Sequence, residues 1–250
     1  MRNIFIFIVL SGFALSGFTQ NRDSTILSRR NVVKFLPINV PFQSSSFEYE
    51  RMINAKNSWT LGIGLPNQRS LIGKYGIDAN SDLKTADLGT MHLRAAYRHY
   101  TGKRKLPKGF YLEPYLKYQH IKGNGNIAGV NDYDVAYDGK STVNLTTFNF
   151  GCQMGLQFLI AKRVTLDFYF MGLEGGFLSG NIVTTPTSNT GYDPIVLAVL
   201  KDEIESKIVD LPSIVRDKIS VTQTDNQINV KASGIPYPWY RGGISIGIAF

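Results

Sequence analysis

The sequence predicts an all-β chain that closes into an eight-stranded antiparallel barrel. Three observations predict this class: eight segments alternate in polarity, the connections between them alternate in length, and large apolar side chains recur on one face of the segments. Of the 250 residues, 43% are hydrophobic and 18% are charged, with 27 basic and 19 acidic residues. This composition excludes a disordered chain and supplies enough apolar surface for one large domain.

The first residues have the layout of a secretory signal peptide. Arg2 precedes an apolar run over 4–15, and small residues follow before a cleavage site ahead of Gln20. The apolar run is shorter than the roughly 20 residues of a membrane-spanning helix, which disfavours the alternative of an uncleaved anchor. We therefore expect an exported chain in which 1–19 is removed and 20–250 forms the barrel domain.

Eight segments show the period of two that is typical of a strand with one apolar and one polar face. In Phe110–Gln119, for example, Phe110, Leu112 and Leu116 share one face, and the charged side chains lie on the other. The eight predicted strands are Asn31–Leu36, Ser45–Ile53, Trp59–Leu65, Met91–Arg98, Phe110–Gln119, Thr147–Phe158, Val164–Met171 and Gly243–Phe250.

The connections between these segments alternate between short and long. The short ones are Asn54–Asn57, Thr101–Gly109 and Ala161–Arg163, and the long ones are Pro66–Asp87, Lys122–Thr142 and Gly176–Pro238; Pro37–Gln43 breaks the pattern. Short turns at one end and long loops at the other are typical of transmembrane β-barrels, whose short turns are periplasmic. An even number of strands then places both termini at the periplasmic end.

The longest connection is predicted to contain one amphipathic helix. Asp193 is an N-cap residue, Pro194 suits the first helical position, and Pro212 should kink or divide the helix. The apolar stripe consists of Leu197, Leu200, Ile204, Ile208, Leu211 and Val215. We expect the helix to cap the barrel mouth, with a position on the membrane surface as the alternative.

Alternation alone does not decide which face points inward. In a soluble lipocalin-like binding barrel the apolar face would line a cavity, whereas in a membrane barrel it faces lipid. The polar face carries the charged residues Glu48, Glu50, Arg94, Arg98, Glu113, Lys117 and Asp167. Aromatic residues near strand ends, such as Trp59, Tyr97 and Tyr118, also favour lipid outside. Because eight strands enclose only enough space for side chains, we expect these charges to pair in a closed lumen without an open pore.

The last strand resembles the terminal strand of bacterial outer-membrane proteins. Its apolar face consists of Ile244, Ile246, Ile248 and Phe250. The segments Phe47–Arg51 and Gly109–Tyr115 are similar to small Gram-negative outer-membrane β-barrels of unknown function, of the eight-stranded OmpA/OmpX-like type. The resemblance implies location in the outer membrane, contact with outer-membrane lipid, and recognition of the final strand by the barrel-assembly machinery. It carries no catalytic residue across.

Catalysis is the main alternative function, because some eight-stranded outer-membrane barrels modify lipids. The candidate residues would be His92, His120 and Ser245, yet the sequence fixes no common geometry for them. No nucleophile elbow, zinc spacing or phosphate loop is present, so we expect no metal and no cofactor. Nucleic acid is not an expected partner outside the cytoplasm, although 103–105 is basic. The sequence thus predicts a structural or surface-interaction role whose ligand it does not identify.

Overall fold

The computed structural model describes residues 29–37, 44–66, 69–70, 83–101, 107–130, 136–186, 194–224 and 226–250. The predicted signal peptide at 1–19, its cleavage site before Gln20, the basic segment 103–105 and the predicted N-cap Asp193 lie outside the described residues.

The described residues form eleven strands and two helices. The strands are β1 (Asn31–Leu36), β2 (Ser44–Met52), β3 (Asn57–Pro66), β4 (Arg69–Ser70), β5 (Leu83–Tyr100), β6 (Gly109–Val130), β7 (Ala136–Ile160), β8 (Val164–Pro186), β9 (Ile219–Thr224), β10 (Gln227–Pro236) and β11 (Trp239–Ala249). The helices are α1 (Pro194–Val209) and α2 (Ser213–Arg216).

Eight of the strands close into an antiparallel barrel. The order around the barrel is β1, β2, β3, β5, β6, β7, β8 and β11, and β11 pairs with β1 to close the circle. Phe35 lies opposite Ile246 at the closing pair. Each of the eight predicted segments lies in one of these strands, apart from the last residues Ile53 and Phe250 of two of them, so the prediction of an all-β, eight-stranded closed barrel is confirmed.

The strands extend further than predicted at the end where long loops were expected. The predicted connection Lys122–Thr142 consists mostly of strand, because β6 continues to Val130 and β7 begins at Ala136. Glycine and asparagine residues in this segment suggested a turn, but β6 and β7 pair without interruption through Gly123 and Asn124. Strands β5 to β8 are therefore longer than β1–β3 and stay paired with each other beyond the predicted segments.

The predicted loop Gly176–Pro238 also differs from the structure. It contains the upper half of β8, both helices and the hairpin β9–β10. β10 and β11 pair in turn with the upper and lower parts of β8, and the N–H of Tyr237 donates to the carbonyl oxygen of Gly176 at 2.8 Å between them. Together β10 and β11 thus act as one long interrupted strand beside β8.

The helices lie beside this hairpin. α1 begins at Pro194 as predicted, and Pro212 separates it from α2, which confirms the expected division. α1 packs against β9 and β10, and Leu197 of its apolar stripe is buried. The helix therefore packs against the hairpin β9–β10, a contact that was not part of the expected cap over the barrel mouth. Neither described helix is long and apolar enough to cross a membrane.

One bulge changes which side chains face inward. Met171 has a φ of 49°, and the β7–β8 register shifts between Cys152 and Met154. Uninterrupted alternation from Asp167 predicts Met171 on the polar face, but its side chain is 55% exposed on the outside. Beyond the bulge, even-numbered residues of β8 face the lumen, and Glu174 is buried there.

Candidate functional site

The barrel has a polar interior and an apolar exterior. Outward side chains such as Leu61, Leu116 and Phe150 are 51%, 52% and 56% exposed, whereas Arg98 and Glu113 are 1% and 0% exposed. Other large apolar residues on the outside are Phe35, Phe47, Ile63, Leu93, Leu112, Phe148, Phe158, Ile246 and Ile248. The sequence-based assignment of the two faces is therefore correct along these strands.

The lower lumen contains a network of buried ion pairs. Nζ of Lys34 lies 2.8 Å from a carboxylate oxygen of Glu50 and 2.9 Å from one of Asp167. Arg98 joins the same network through Asp167 at 2.9 Å. In addition, Arg94 pairs with Glu48 at 2.5 Å, and both arginines pair with Glu113. Five strands (β1, β2, β5, β6 and β8) thus contribute to one cluster, as expected for a filled lumen.

Neutral donors complete this network. It holds three bases and four carboxylates (Glu48, Glu50, Glu113 and Asp167), which leaves one negative charge in excess. Tyr100 donates its hydroxyl to Glu50 at 2.6 Å, and Tyr111 donates to Asp167 at 2.7 Å. Ser58 donates to Glu50 at 2.7 Å. These hydrogen bonds stabilise carboxylates that would otherwise be costly to remove from water.

Lys117 belongs to a second polar group higher in the lumen. Its Nζ lies 2.5 Å from Glu174, whose other contacts are hydrogen bonds donated by Asn149 at 2.6 Å and Tyr115 at 3.0 Å. Six of the seven predicted charged residues therefore lie in the lower network together with Lys34, and the seventh, Lys117, pairs with Glu174 above it. Glu174 was not among the predicted residues because the predicted strand ended at Met171.

A cavity of about 330 Å³ lies beside the upper pair. Its lining includes Lys117, Arg94, His92, Tyr169, Trp239 and Arg241. Arg241 was also missing from the predicted cluster, because it lies between the predicted loop Gly176–Pro238 and the predicted strand Gly243–Phe250, whereas β11 begins at Trp239. Lys34 was also missing from the predicted cluster, although Val32, Lys34 and Leu36 alternate on the short strand β1 and all face inward.

The structure does not bring the three candidate catalytic residues together. The ring of His92 covers Gly64: a Cβ added to Gly64 would lie 2.1 Å from the His92 ring and 2.7 Å from Oγ of Ser44. His120 is half-buried, and its Nδ1 lies 3.1 Å from Oγ1 of Thr146. Ser245 is buried opposite Asp167, and strands β1, β2 and β3 separate β11 from the strand of His92. His92 lines the upper cavity, whereas Ser245 lies beside Asp167 of the lower network, so the two side chains are at different heights in the lumen.

The terminal strand presents its apolar residues to the exterior. Ile244, Ile246, Ile248 and Phe250 are all exposed, and Phe250 exchanges backbone hydrogen bonds with Asn31 at 3.1 Å and 2.9 Å. The final aromatic residue is thus fixed at the closing pair of the barrel. Its recognition during assembly stays a prediction.

Within the described ranges, no group of three or more His, Cys, Asp or Glu side chains is placed to hold a metal ion. Comparison of the chain with protein families, curated proteins and solved structures gave no match.

Proposed function

We propose that this chain is an integral outer-membrane β-barrel protein with a closed lumen and a structural or surface-interaction role. The observation that carries this proposal is the arrangement of the wall, with large apolar side chains outside and paired charges inside. Burying one large apolar side chain is worth about 1.5–3 kcal/mol, and this gain is lost when the residue stays in water. A hydrocarbon solvent around the barrel supplies that burial.

The same arrangement argues against the soluble binding barrel. A lipocalin-like protein would need an apolar cavity and a wettable exterior, whereas here the lower lumen is filled by Lys34, Arg98, Glu50 and Asp167. Contiguous apolar surfaces of more than a few hundred Å² are rare on soluble monomers. The apolar band spreads over every barrel strand from β1 to β11, which suits contact with outer-membrane lipid.

The filled lumen supports a role without an open pore. Arg98 contacts four carboxylates, and its guanidinium lies over the ring of Tyr111 at 3.7 Å. Gln157 bridges the same centre, with its Oε1 accepting from Lys34 at 2.6 Å and from Arg98 at 2.7 Å. An ion crossing here would have to break several buried ion pairs, each of which sits in a low-dielectric site.

The topology in this proposal places the short turns and both termini in the periplasm. The extended sheet, the hairpin β9–β10 and the helices then lie on the outside of the cell, where they offer a surface for partners. The exposed terminal strand with Phe250 is the expected contact for the assembly machinery during biogenesis.

The experiment that tests this function is fractionation of cells that make the full-length chain. We expect the protein in the outer-membrane fraction after carbonate washing. We also expect the unboiled protein to migrate faster than the boiled protein on a denaturing gel, which indicates a folded barrel. Recovery from the soluble periplasmic fraction would refute the proposal. Planar-bilayer recordings on the purified protein test the closed lumen separately: we expect no conductance steps, and stable open channels would show that the lumen is not sealed.

A further inference from the structure

The upper lumen cavity has the size and lining of a small-molecule site. Its volume of about 330 Å³ is at the lower end of the range for ligand pockets, which is roughly 300–1,000 Å³. The ion-pair network closes the lumen below it, and Thr90 and Gln119 line it higher on β5 and β6. Such a cavity accommodates a compact solute. Binding there does not require the lumen to be open at both ends.

Among the described residues, no carboxylate forms an ion pair with Arg241, in contrast to Arg94 and Lys117 in the same lining. The guanidinium of Arg241 lies 4.7 Å from the ring centre of Tyr169 and 5.7 Å from that of Tyr115. The side chain is half-buried, and its Nη1 is buried without a hydrogen-bond partner among the described residues. A buried donor without an acceptor costs about 1–3 kcal/mol, and more when it is charged. An anion in the cavity would supply the acceptor that the described protein groups do not.

The local charge favours an anion as well. Three bases and no carboxylate are among the described residues that line the cavity, although Arg94 pairs with Glu48 and Lys117 pairs with Glu174. Arg241 offsets the one negative charge in excess in the lower network, so its position in the lining, and not a net charge of the lumen, makes the cavity wall basic. Because the wall is a low-dielectric medium, these bases attract an anion more strongly than the same groups on a protein surface. The planar fork of a guanidinium matches the two oxygens of a carboxylate or a phosphate.

Two aromatic rings in the lining indicate what the rest of the ligand should be. Tyr237 and Trp239 both line the cavity, and their rings stack at 5.6 Å with an angle of 11° between planes. Such a pair offers a flat apolar surface next to the basic group. Polar side chains of Ser44, Thr90 and Gln119 line other parts of the wall and can donate hydrogen bonds.

We propose that the upper lumen binds a small anionic compound through a carboxylate or phosphate head held by Arg241, with a flat or apolar part against Tyr237 and Trp239. The head could belong to a free solute or to a lipid headgroup, since both present the same oxygens. This binding site goes beyond the proposed membrane role and rests on the lumen geometry alone.

Trp239 supplies the signal for the test. The chain has two tryptophans, and Trp59→Phe leaves Trp239 as the only one, because Trp59 lies on the outside of the barrel. The full-length mature protein, folded in a neutral detergent, is titrated with benzoate, with inorganic phosphate and with phosphatidylglycerol in mixed micelles. Phosphatidylcholine serves as the zwitterionic control. We expect a saturable change in Trp239 emission with at least one of the three anions.

The substitution Arg241→Gln should weaken that binding about 10- to 100-fold, which is the range for losing a charge-assisted hydrogen bond. Arg216→Gln, which removes the same charge from the exposed helix α2, should leave the affinity unchanged. Arg241→Lys keeps the charge and removes the fork, so an intermediate affinity is expected if the glutamine variant does not fold.

The outcomes separate the sources of the head group. Saturation by benzoate or phosphate supports a free solute, and saturation by phosphatidylglycerol alone supports a lipid headgroup. No saturable change with any of the three anions in folded protein would overturn the proposal. Equal affinities in wild-type protein and in the folded Arg241 variants would overturn it too. Because all titrations are done in detergent, they stay informative whatever cell fraction holds the protein.

Discussion

The substitution Arg98→Met tests the buried network at its centre. Arg98 pairs with Glu48, Glu50, Glu113 and Asp167, and it is 1% exposed. Methionine has a similar length and no charge, so the change removes the ion pairs while it keeps most of the packing volume. After the substitution, two bases remain for four carboxylates.

The expected loss of stability follows from this local charge. The excess negative charge of the network rises from one to two, and Glu50 and Asp167 then depend on the same ammonium group of Lys34. Removing one partner of a buried ion pair costs about 3–5 kcal/mol. We therefore expect the free energy of unfolding to fall by about 3–5 kcal/mol. The double variant Arg98→Met with Glu113→Gln restores the original excess charge and should recover part of this loss.

Urea unfolding of the barrel refolded in lipid vesicles measures the effect, with the unboiled gel band as an independent reporter of folding. Arg163→Met is the matched control, because Arg163 lies exposed in the turn between β7 and β8 and should change stability by less than about 0.5 kcal/mol. A loss below about 1 kcal/mol for Arg98→Met, equal to that of the control, would refute the claim that the network stabilises the barrel.

Three further substitutions test other parts of the account. Gly155→Ala places a Cβ 2.2 Å from the hydroxyl oxygen of Tyr111, so it should lower the free energy of unfolding in urea by about 1–3 kcal/mol. Gly175→Ala is the control and should be neutral, because its Cβ would lie 3.9 Å from the nearest atom. Equal effects of the two substitutions would contradict the packing around Tyr111. Leu116→Arg puts a charge in the apolar band and should cost about 2–4 kcal/mol in vesicles, against no measurable loss for Val209→Arg on the exposed side of α1. Phe250→Ser should lower the assembled fraction in cells while the refolded protein keeps its stability, because the ring is half exposed; normal assembly would count against its role as a signal.

The sequence was informative about faces wherever alternation runs without interruption. Phe110–Gln119 and Thr147–Phe158 have the predicted inward and outward side chains throughout. Met171 shows the limit, because its bulge needs a positive φ in a non-glycine residue, and no local pattern marks such a position. The alternation beyond it therefore shifted by one residue, and Glu174 was lost from the predicted lumen.

The sequence was less informative about which side chains of the lumen contact each other. It predicted that the charged residues of the lumen pair, but not which pairs form, since Lys34 and Asp167 are 133 positions apart and meet only through barrel closure. Parity places His92 and Ser245 on the same inward face but does not give their heights: His92 lines the upper cavity, and Ser245 lies opposite Asp167 in the lower lumen. The cavity beside Arg241 was beyond reach for a similar reason, because it depends on the pairing of β8 with β10 and β11.

The most direct test of an exterior that faces lipid uses the single cysteine of the chain. Cys152 is exposed on the outer face of β7, next to the outward ring of Phe150. A nitroxide label on Cys152 in vesicles should have a high collision rate with oxygen and a very low collision rate with a water-soluble nickel chelate. The control is a label on Val209→Cys in a Cys152→Ser background, which should have a high collision rate with the chelate. Free collision of the nickel chelate with the label on Cys152 would contradict the claim that lipid surrounds the barrel.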